Sequence, residues 1–213
     1  MLLGALQSLL SDLYDLDIPY DVVDFVTSDA GFVETVDRRG RAIDEKLLIA
    51  EGDGEANVSL YLDSSLLGRL AHNDPLADLN AENLEDFWTA FEGVSHFIYY
   101  VWNAGLEKPV TLLEMELQAE VDKFVATALL LLRQGGRQPA GLHRWLFELP
   151  KFDERLDGAE LDRYRHANHY AGKYCRRLAP ALAQSPTRDQ VVSELRRFYR
   201  LSRTPKIEHI ESG

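Results

Sequence analysis

Glutamate and histidine pairs at helical spacing are the residues of this 213-residue chain best suited to chemistry. Three such pairs occur: Glu92 with His96, Glu116 with Glu120, and His166 with His169. Side chains three or four positions apart share one face of a helix, and inward-facing carboxylates and imidazoles from several helices form the metal sites of carboxylate-bridged bundles. These six residues are therefore candidate ligands of a divalent metal.

The same spacing is also the commonest arrangement of charged pairs on a helix surface. The sequence contains no Glu-x-x-His pair, no phosphate-binding glycine loop, no paired-cysteine zinc pattern, and neither the H-E-x-x-H nor the G-x-S-x-G motif. The single cysteine, Cys175, falls on an apolar helical arc, which favours a buried residue over a nucleophile. We therefore expect no metal and no other cofactor, with a metal-dependent helical-bundle enzyme as the alternative.

Glu120 is the one carboxylate that the pattern directs towards a core. On a helical wheel it lies close to the stripe of Leu113 and Leu131, and a carboxylate there must be paired or hydrogen-bonded because desolvating a lone charge is costly. We expect a buried polar cluster at Glu120, with His96 or a cation from the C-terminal helices as its partner. The remaining polar residues of the same helix fall off the stripe and are expected to be solvated: Glu114, Gln118 and Asp122.

A second chemical possibility lies in residues 163–169, Arg-Tyr-Arg-His-Ala-Asn-His. This segment loosely resembles the Arg-to-His signature of the helical HEPN ribonucleases, which would imply an activity on RNA. Neither Arg163 nor Arg165 stands at the family's usual spacing from His169, and the rest of the chain carries no other feature of the family. A basic, solvated helix face is the simpler interpretation.

Charge is distributed unevenly along the chain, whose net charge is −12. Residues 1–154 contain 11 basic and 28 acidic side chains, whereas residues 155–213 contain 12 basic and 7 acidic ones. An acidic body disfavours binding to a nucleic acid, so a protein with an acidic surface is the expected partner of the basic end. The predicted partner-binding residues are Arg165, Lys173, Arg176, Arg177, Arg196, Arg197 and Arg200.

The element expected to organise the fold is a helix over residues 111–133. It has the longest apolar periodicity, and Thr111 with Glu114 forms a capping box at its start. An aromatic-rich helix is predicted over residues 81–104, with Gly93 in its middle. A glycine inside a helix costs about 1 kcal/mol relative to alanine, which indicates that another backbone approaches closely there.

Alternating residues ahead of these helices predict a small antiparallel sheet of about three strands. One strand is expected at residues 21–27 and a hairpin at 46–63. The predicted fold is therefore α+β and predominantly helical, with the sheet packed against about five or six helices. We expect one globular domain over residues 1–201, comprising an α/β portion at 1–73 and a helical portion at 81–201, followed by an irregular tail at 202–213.

The expected function is that of a soluble, cytoplasmic interaction or regulatory protein without catalysis of its own. A lone cysteine fits a reducing compartment, and the N-terminal segment lacks the basic n-region of a signal peptide. The longest apolar run, at residues 125–132, is shorter than the roughly 20 residues that cross a bilayer, so no membrane partner is expected.

Overall fold

The computed structural model describes residues 2–36, 43–52, 55–135, 141–150, 152, 156–182 and 188–213. The α-helices are α1 Leu2–Tyr14, α2 Ala30–Val36, α3 Ser64–His72, α4 Leu84–Gly105, α5 Leu112–Arg133, α6 Gly158–Leu182, α7 Arg188–Tyr199 and α8 Arg203–Glu211. The strands are β1 Val26–Thr27, β2 Glu45–Gly52 and β3 Glu55–Leu62. A 3₁₀ turn covers Val22–Phe25 and a π-helical turn covers Arg144–Glu148. The α+β, predominantly helical class is confirmed.

The sheet has the strand order β1-β3-β2 and is mixed. β2 and β3 form the predicted antiparallel hairpin, with Glu45 opposite Leu62, but β1 runs parallel to β3, so the purely antiparallel prediction is wrong. The Asp21 side chain accepts a hydrogen bond from Val23 N at 2.9 Å and caps the 3₁₀ turn, which leaves only two residues for β1. The tip of the hairpin, residues 53–54, lies outside the described residues.

α5 is the central helix, packed between α4 and α6. Its predicted capping box is present: Thr111 Oγ1 accepts from Glu114 N at 3.3 Å, and Glu114 Oε2 accepts from Thr111 N at 2.9 Å. The predicted solvation of Glu114, Gln118 and Asp122 is wrong, because all three are buried. A helix enclosed on most sides has no solvated face, and its off-stripe polar residues must therefore find partners inside the protein.

Asp122 is the centre of a hydrogen-bond network that joins α1, α4 and α5. Its carboxylate accepts from Ser95 Oγ at 2.6 Å, from Gln118 Nε2 at 2.8 Å and from the Tyr14 hydroxyl. Each acceptor oxygen therefore has a donor, as a carboxylate that is 1% exposed requires.

The predicted irregular tail at residues 202–213 is helical from Arg203 to Glu211. Lys206 anchors this helix, α8: its ammonium donates to Gln118 Oε1 at 2.7 Å and to the Tyr99 hydroxyl at 3.0 Å. Burial lowers the pKa of Lys206 to about 7. The apolar periodicity missed this helix because one of its two inward-facing anchors is a lysine, the other being Ile210.

The remaining boundaries follow local sequence signals. Asp157 caps α6, its Oδ1 accepting a hydrogen bond from Glu160 N at 2.8 Å. Pro180 lies inside α6, which continues to Leu182. Within the described part of the chain, every helix is too short or too polar to cross a membrane.

Candidate functional site

Four glutamates and three nitrogen-bearing side chains meet where α4, α5 and α6 face the first residue of β2. The glutamates are Glu45, Glu92, Glu116 and Glu120, and the nitrogen-bearing residues are His96, Lys123 and Arg163. We call these seven residues the carboxylate cluster. Their side chains are 7% to 22% exposed, so interactions among them are little screened by solvent.

Lys123 holds two of the four carboxylates. Its ammonium donates to Glu120 Oε1 at 2.7 Å and to Glu92 Oε2 at 2.8 Å. Glu120 therefore lies in the predicted polar cluster, but its partner is Lys123 of its own helix rather than His96 or a C-terminal cation. Burial raises the pKa of Glu120. Burial acts on Glu92 in the same direction, but the charges of Lys123 and His96 outweigh it and lower the pKa of Glu92.

His96 lies between the other two carboxylates. Its Nδ1 is 3.5 Å from Glu45 Oε1 and its Nε2 is 3.5 Å from Glu116 Oε2, and the second Glu116 oxygen is 3.6 Å from Arg163 Nε. Burial acts to lower the pKa of His96, but the Glu116 and Glu45 carboxylates raise it well above its ordinary value. Burial raises the pKa of Glu45.

Three polar atoms around His96 lack hydrogen bonds within the described part of the chain. Glu45 Oε1, His96 Nε2 and Arg163 Nε are buried and lack a hydrogen-bond partner among the described residues. Their nearest charged neighbours stand at 3.5 to 3.6 Å, outside the usual range of an N–H···O bond. An unsatisfied buried polar atom costs about 1 to 3 kcal/mol, so these atoms are available to a bound group.

Gly93 allows Glu45 to reach α4. A Cβ at position 93 would lie 2.8 Å from Glu45 Cγ and 2.9 Å from Leu60 Cδ1, closer than real Cβ contacts. A close approach at the mid-helix glycine is present, but side chains of β2 and β3 make it rather than the predicted backbone. It brings one carboxylate oxygen each of Glu45 and Glu92 and one His96 ring nitrogen within 4.8 Å of one another.

Of the six ligand candidates predicted from sequence, the structure brings four together and leaves two apart. Glu92, His96, Glu116 and Glu120 converge in the carboxylate cluster. His166 and His169 are exposed on α6 and do not join it. Sequence reasoning missed Glu45, Lys123 and Arg163 as members, because they come from a strand, from a position off the apolar stripe and from a segment that looks solvated.

The HEPN-like segment is divided between the interior and the surface. Arg163 turns towards Glu116, whereas the Arg165 side chain is 60% exposed and lies 3.9 Å from Asp162. With His166 and His169 also exposed, the segment does not gather into one pocket.

A cleft of about 790 Å³ opens over the carboxylate cluster. Apolar side chains form much of its wall: Leu84, Trp88, Trp145, Leu146, Leu149 and Phe152. Polar residues complete it: Asp44, Glu45, Glu85, Glu92, Glu120, Lys123, Tyr164 and Asn168. Glu45, Glu92, Glu120 and Lys123 belong to both the cluster and the cleft, so the charged groups are reachable from solvent.

The π-helical turn that carries Trp145 is fastened to α6. Asn168 Nδ2 donates to Leu146 O at 2.8 Å, and Gly172 leaves room for Phe147, whose Cβ would lie 2.9 Å from a Cβ at that position. Asn168 thus links α6 to the π-helical turn, and it also holds the wall of the cleft that carries Trp145 in place.

Two of the predicted partner-binding residues cap the C-terminus of α1. Arg196 Nε donates to Leu13 O at 3.0 Å, and Arg200 Nη1 donates to Tyr14 O at 3.1 Å. Helix C-termini present unpaired carbonyls and a partial negative charge, which guanidinium groups satisfy. These two cations serve the contact between α7 and α1.

The other predicted partner-binding residues differ in how far they are engaged. Three have partners within the chain: Lys173 with Glu211 at 2.7 Å, Arg176 with Glu148 at 3.5 Å, and Arg177 with His209 O at 3.2 Å. Arg165 and Arg197 are exposed. Docking of an acidic partner through this face stays a prediction.

Cys175 is fully buried, and burial raises the pKa of its thiol well above the ordinary value. Both properties disfavour the thiolate form that a nucleophile requires.

Comparison with known proteins identifies no relative: no protein-family model, no curated protein and no solved structure gives a significant match to this chain.

Proposed function

We propose that this protein binds a small cationic ligand in the cleft, with the carboxylate cluster as its floor. The observation that carries the proposal is the charge balance of the cluster. Four carboxylates face two permanent cations, Lys123 and Arg163, which leaves a formal charge of −2, or −1 when His96 is protonated. Buried charge is stable only when it is paired or neutralised, so with all four carboxylates ionised the cluster is one or two positive charges short.

The distribution of contacts supports the same conclusion. The Lys123 ammonium is hydrogen-bonded to both Glu92 and Glu120, and Arg163 faces Glu116. Glu45 is left with a histidine as its neighbour and with an oxygen that accepts no hydrogen bond from the described residues. Since Glu45 also lines the cleft, a cation entering from solvent meets an available carboxylate.

The cleft has the dimensions and composition of a small-molecule site. Its volume of about 790 Å³ lies within the usual range of ligand pockets, roughly 300 to 1,000 Å³. Five carboxylate residues line it against one ammonium group, which raises the local concentration of cations. The indoles of Trp88 and Trp145 provide apolar contact and faces that attract positive charge.

The test is a binding screen with two groups of cations. Thermal unfolding is monitored with Zn²⁺, Mn²⁺ and Co²⁺ in one arm, and with putrescine, agmatine and tetramethylammonium in the other. A ligand that binds only the folded state raises the melting temperature, and the stabilisation grows with the logarithm of one plus the ratio of ligand concentration to Kd. We expect at least one cation to stabilise the wild type and not Glu45→Gln.

Glu82→Gln is the matched control for that variant. Glu82 is exposed and is not among the residues that line the cleft, so the substitution removes an equal charge without changing the cluster or the cleft. Absence of stabilisation by every cation in both arms overturns the proposal, as does equal stabilisation of wild type and Glu45→Gln.

A second candidate function is docking of an acidic protein through the C-terminal basic face. The exposure of Arg165 and Arg197 favours it, because each offers a guanidinium group to a partner without breaking a buried contact.

A further inference from the structure

We infer that the cation is a first-row divalent metal ion coordinated by Glu45, Glu92 and His96, a conclusion that rests on the proposed function and names its ligand. One oxygen of each carboxylate and one imidazole nitrogen lie within 4.8 Å of one another. Three atoms at this spacing lie no more than about 2.8 Å from a common centre, so a shift of about 0.7 Å each would bring them to metal–ligand distances of roughly 2.0 to 2.2 Å. Two elements, β2 and α4, supply all three ligands.

The imidazole distinguishes this site from a simple acidic patch. His96 is 6% exposed, and its Nε2 accepts or donates no hydrogen bond among the described residues. Histidine nitrogen with carboxylate oxygen suits zinc, manganese, iron and cobalt, whereas calcium and magnesium prefer oxygen alone. The ligand set therefore selects a transition-metal ion.

Glu116 is placed to orient a metal-binding imidazole. Nδ1 of His96 is 3.5 Å from Glu45 Oε1 and Nε2 is 3.5 Å from Glu116 Oε2, so coordination through Nδ1 directs the Nε2 N–H at Glu116, just beyond the usual hydrogen-bond distance. Metal-bound histidines usually donate the second ring N–H to a carboxylate, which fixes the ring and its tautomer. Arg163, 3.6 Å from the other oxygen of Glu116, holds that carboxylate in turn. Glu116 and Arg163 are positioning residues.

Charge arithmetic supports a divalent ion. With His96 neutral, as a metal ligand must be, the four carboxylates, Lys123 and Arg163 sum to −2, and one divalent ion brings the cluster to zero. The ammonium of Lys123 stays on Glu92 and Glu120, where it limits the site to a single ion.

The site has the character of a reactive rather than a structural metal centre. Structural zinc sites use four protein ligands, whereas three protein ligands leave a coordination position for water or substrate. Glu45 and Glu92 both line the cleft, so that position is reachable by a small molecule bound in the cleft. The expected substrate class is a small organic molecule that offers an oxygen or nitrogen donor to the metal.

The experiment is a cobalt(II) titration of metal-free, tag-free protein, followed by visible absorption and by equilibrium dialysis. Co²⁺ held by three protein ligands absorbs visible light more strongly in its d–d bands than the hydrated six-coordinate ion. The rise in absorbance therefore measures binding. We expect one Co²⁺ per chain, displaced by Zn²⁺. Loss of a ligand in Glu45→Gln or His96→Gln should weaken binding by more than the roughly 10- to 100-fold that Glu116→Gln causes as a positioning residue.

Glu82→Gln must retain wild-type affinity, because Glu82 is exposed and is not among the residues that line the cleft. Circular dichroism must confirm that each variant is folded. Should His96→Gln fail to fold, Glu45→Gln, changed at the sheet edge, carries the test. Binding of Co²⁺ that survives both substitutions overturns the inference. If no divalent metal binds but an organic cation stabilises the wild type through Glu45, the metal inference is wrong and the proposed function stands. If neither class of cation binds, both fail.

Discussion

Glu45 packs against Gly93: a Cβ at position 93 would lie only 2.8 Å from Glu45 Cγ, so no larger residue fits there without moving Glu45. Because Gly93 has no Cβ, β2 can pack closely on α4, and the Glu45 carboxylate lies beside Glu92 and His96. The position of the site therefore depends on a residue that contributes no functional group.

Gly93→Ala should destabilise the protein by about 1 to 3 kcal/mol through overpacking, despite the better helix propensity of alanine. It should also weaken cation binding, because Glu45 must move away. Urea unfolding and the cobalt titration measure the two effects. The matched control is Gly68→Ala in the middle of α3, where no atom lies within 4 Å of the added Cβ. That variant should gain roughly 0.5 to 1 kcal/mol.

Lys123→Met should lower the free energy of unfolding by about 3 kcal/mol, because it leaves Glu92 and Glu120 buried without their shared ammonium. The double variant Lys123→Met/Glu120→Gln removes one charge of each sign and should recover part of the loss. Arg69→Met, which breaks the exposed pair with Asp86, should cost less than about 1 kcal/mol. Equal losses in the two methionine variants would contradict a buried role for Lys123.

Lys206 should make stability depend on pH in the alkaline range. The folded state releases the Lys206 proton near pH 7, whereas the unfolded chain keeps it up to its ordinary pKa of 10.5. Between these values the unfolded state binds more protons, so stability should rise with pH by at most about 1.4 kcal/mol per unit and level off below 7. Urea unfolding of wild type and Lys206→Met from pH 6 to 9 isolates this contribution. A constant difference between the two proteins would show that Lys206 does not titrate in this window.

Arg196→Gln and Arg200→Gln should each lower the unfolding free energy by about 1 kcal/mol, because the carbonyls at the end of α1 lose a charged donor. Arg197→Gln should leave it nearly unchanged, since Arg197 is exposed. Thermal unfolding of the three variants makes the comparison, and a loss at Arg197 as large as the other two would contradict it.

Docking through the basic face is best tested with Arg165→Glu and Arg197→Glu, whose side chains are exposed. Capture of proteins from the native host should weaken for the double variant, while its melting temperature stays within about 2 °C of the wild type because surface substitutions rarely change stability. Unchanged capture would remove this face as a docking surface.

The sequence predicts the helices of this fold well where amphipathic periodicity and caps coincide, as at Thr111 and Asp157. It fails where burial is polar. Gln118 and Asp122 look solvated on a helical wheel, yet they are buried by α1 and α8, two elements distant in sequence. Local periodicity carries no information about such distant partners.

Only the part of the candidate site that lies within single helices was predictable, because local spacing determines it. Spacing within one helix pairs Glu92 with His96 and Glu116 with Glu120, but no local pattern links Glu45 to α4. The mid-helix glycine at 93 was the available signal: it indicated a close approach without naming the residue that makes it.

The burial of Lys206 also has a consequence for how the molecule is made. Gln118 leaves the ribosome 88 residues before the lysine that completes its hydrogen bonds. Until Lys206 has been translated, the Tyr99 and Gln118 side chains of the nascent chain lack their last partner, and the space beside the Tyr99 and Phe198 rings that receives the ammonium stays open. Domains that fold during synthesis do so as their elements emerge. Here the final closure of the interior waits for α8, so native packing around Gln118 follows the emergence of Arg203–Glu211 from the ribosome.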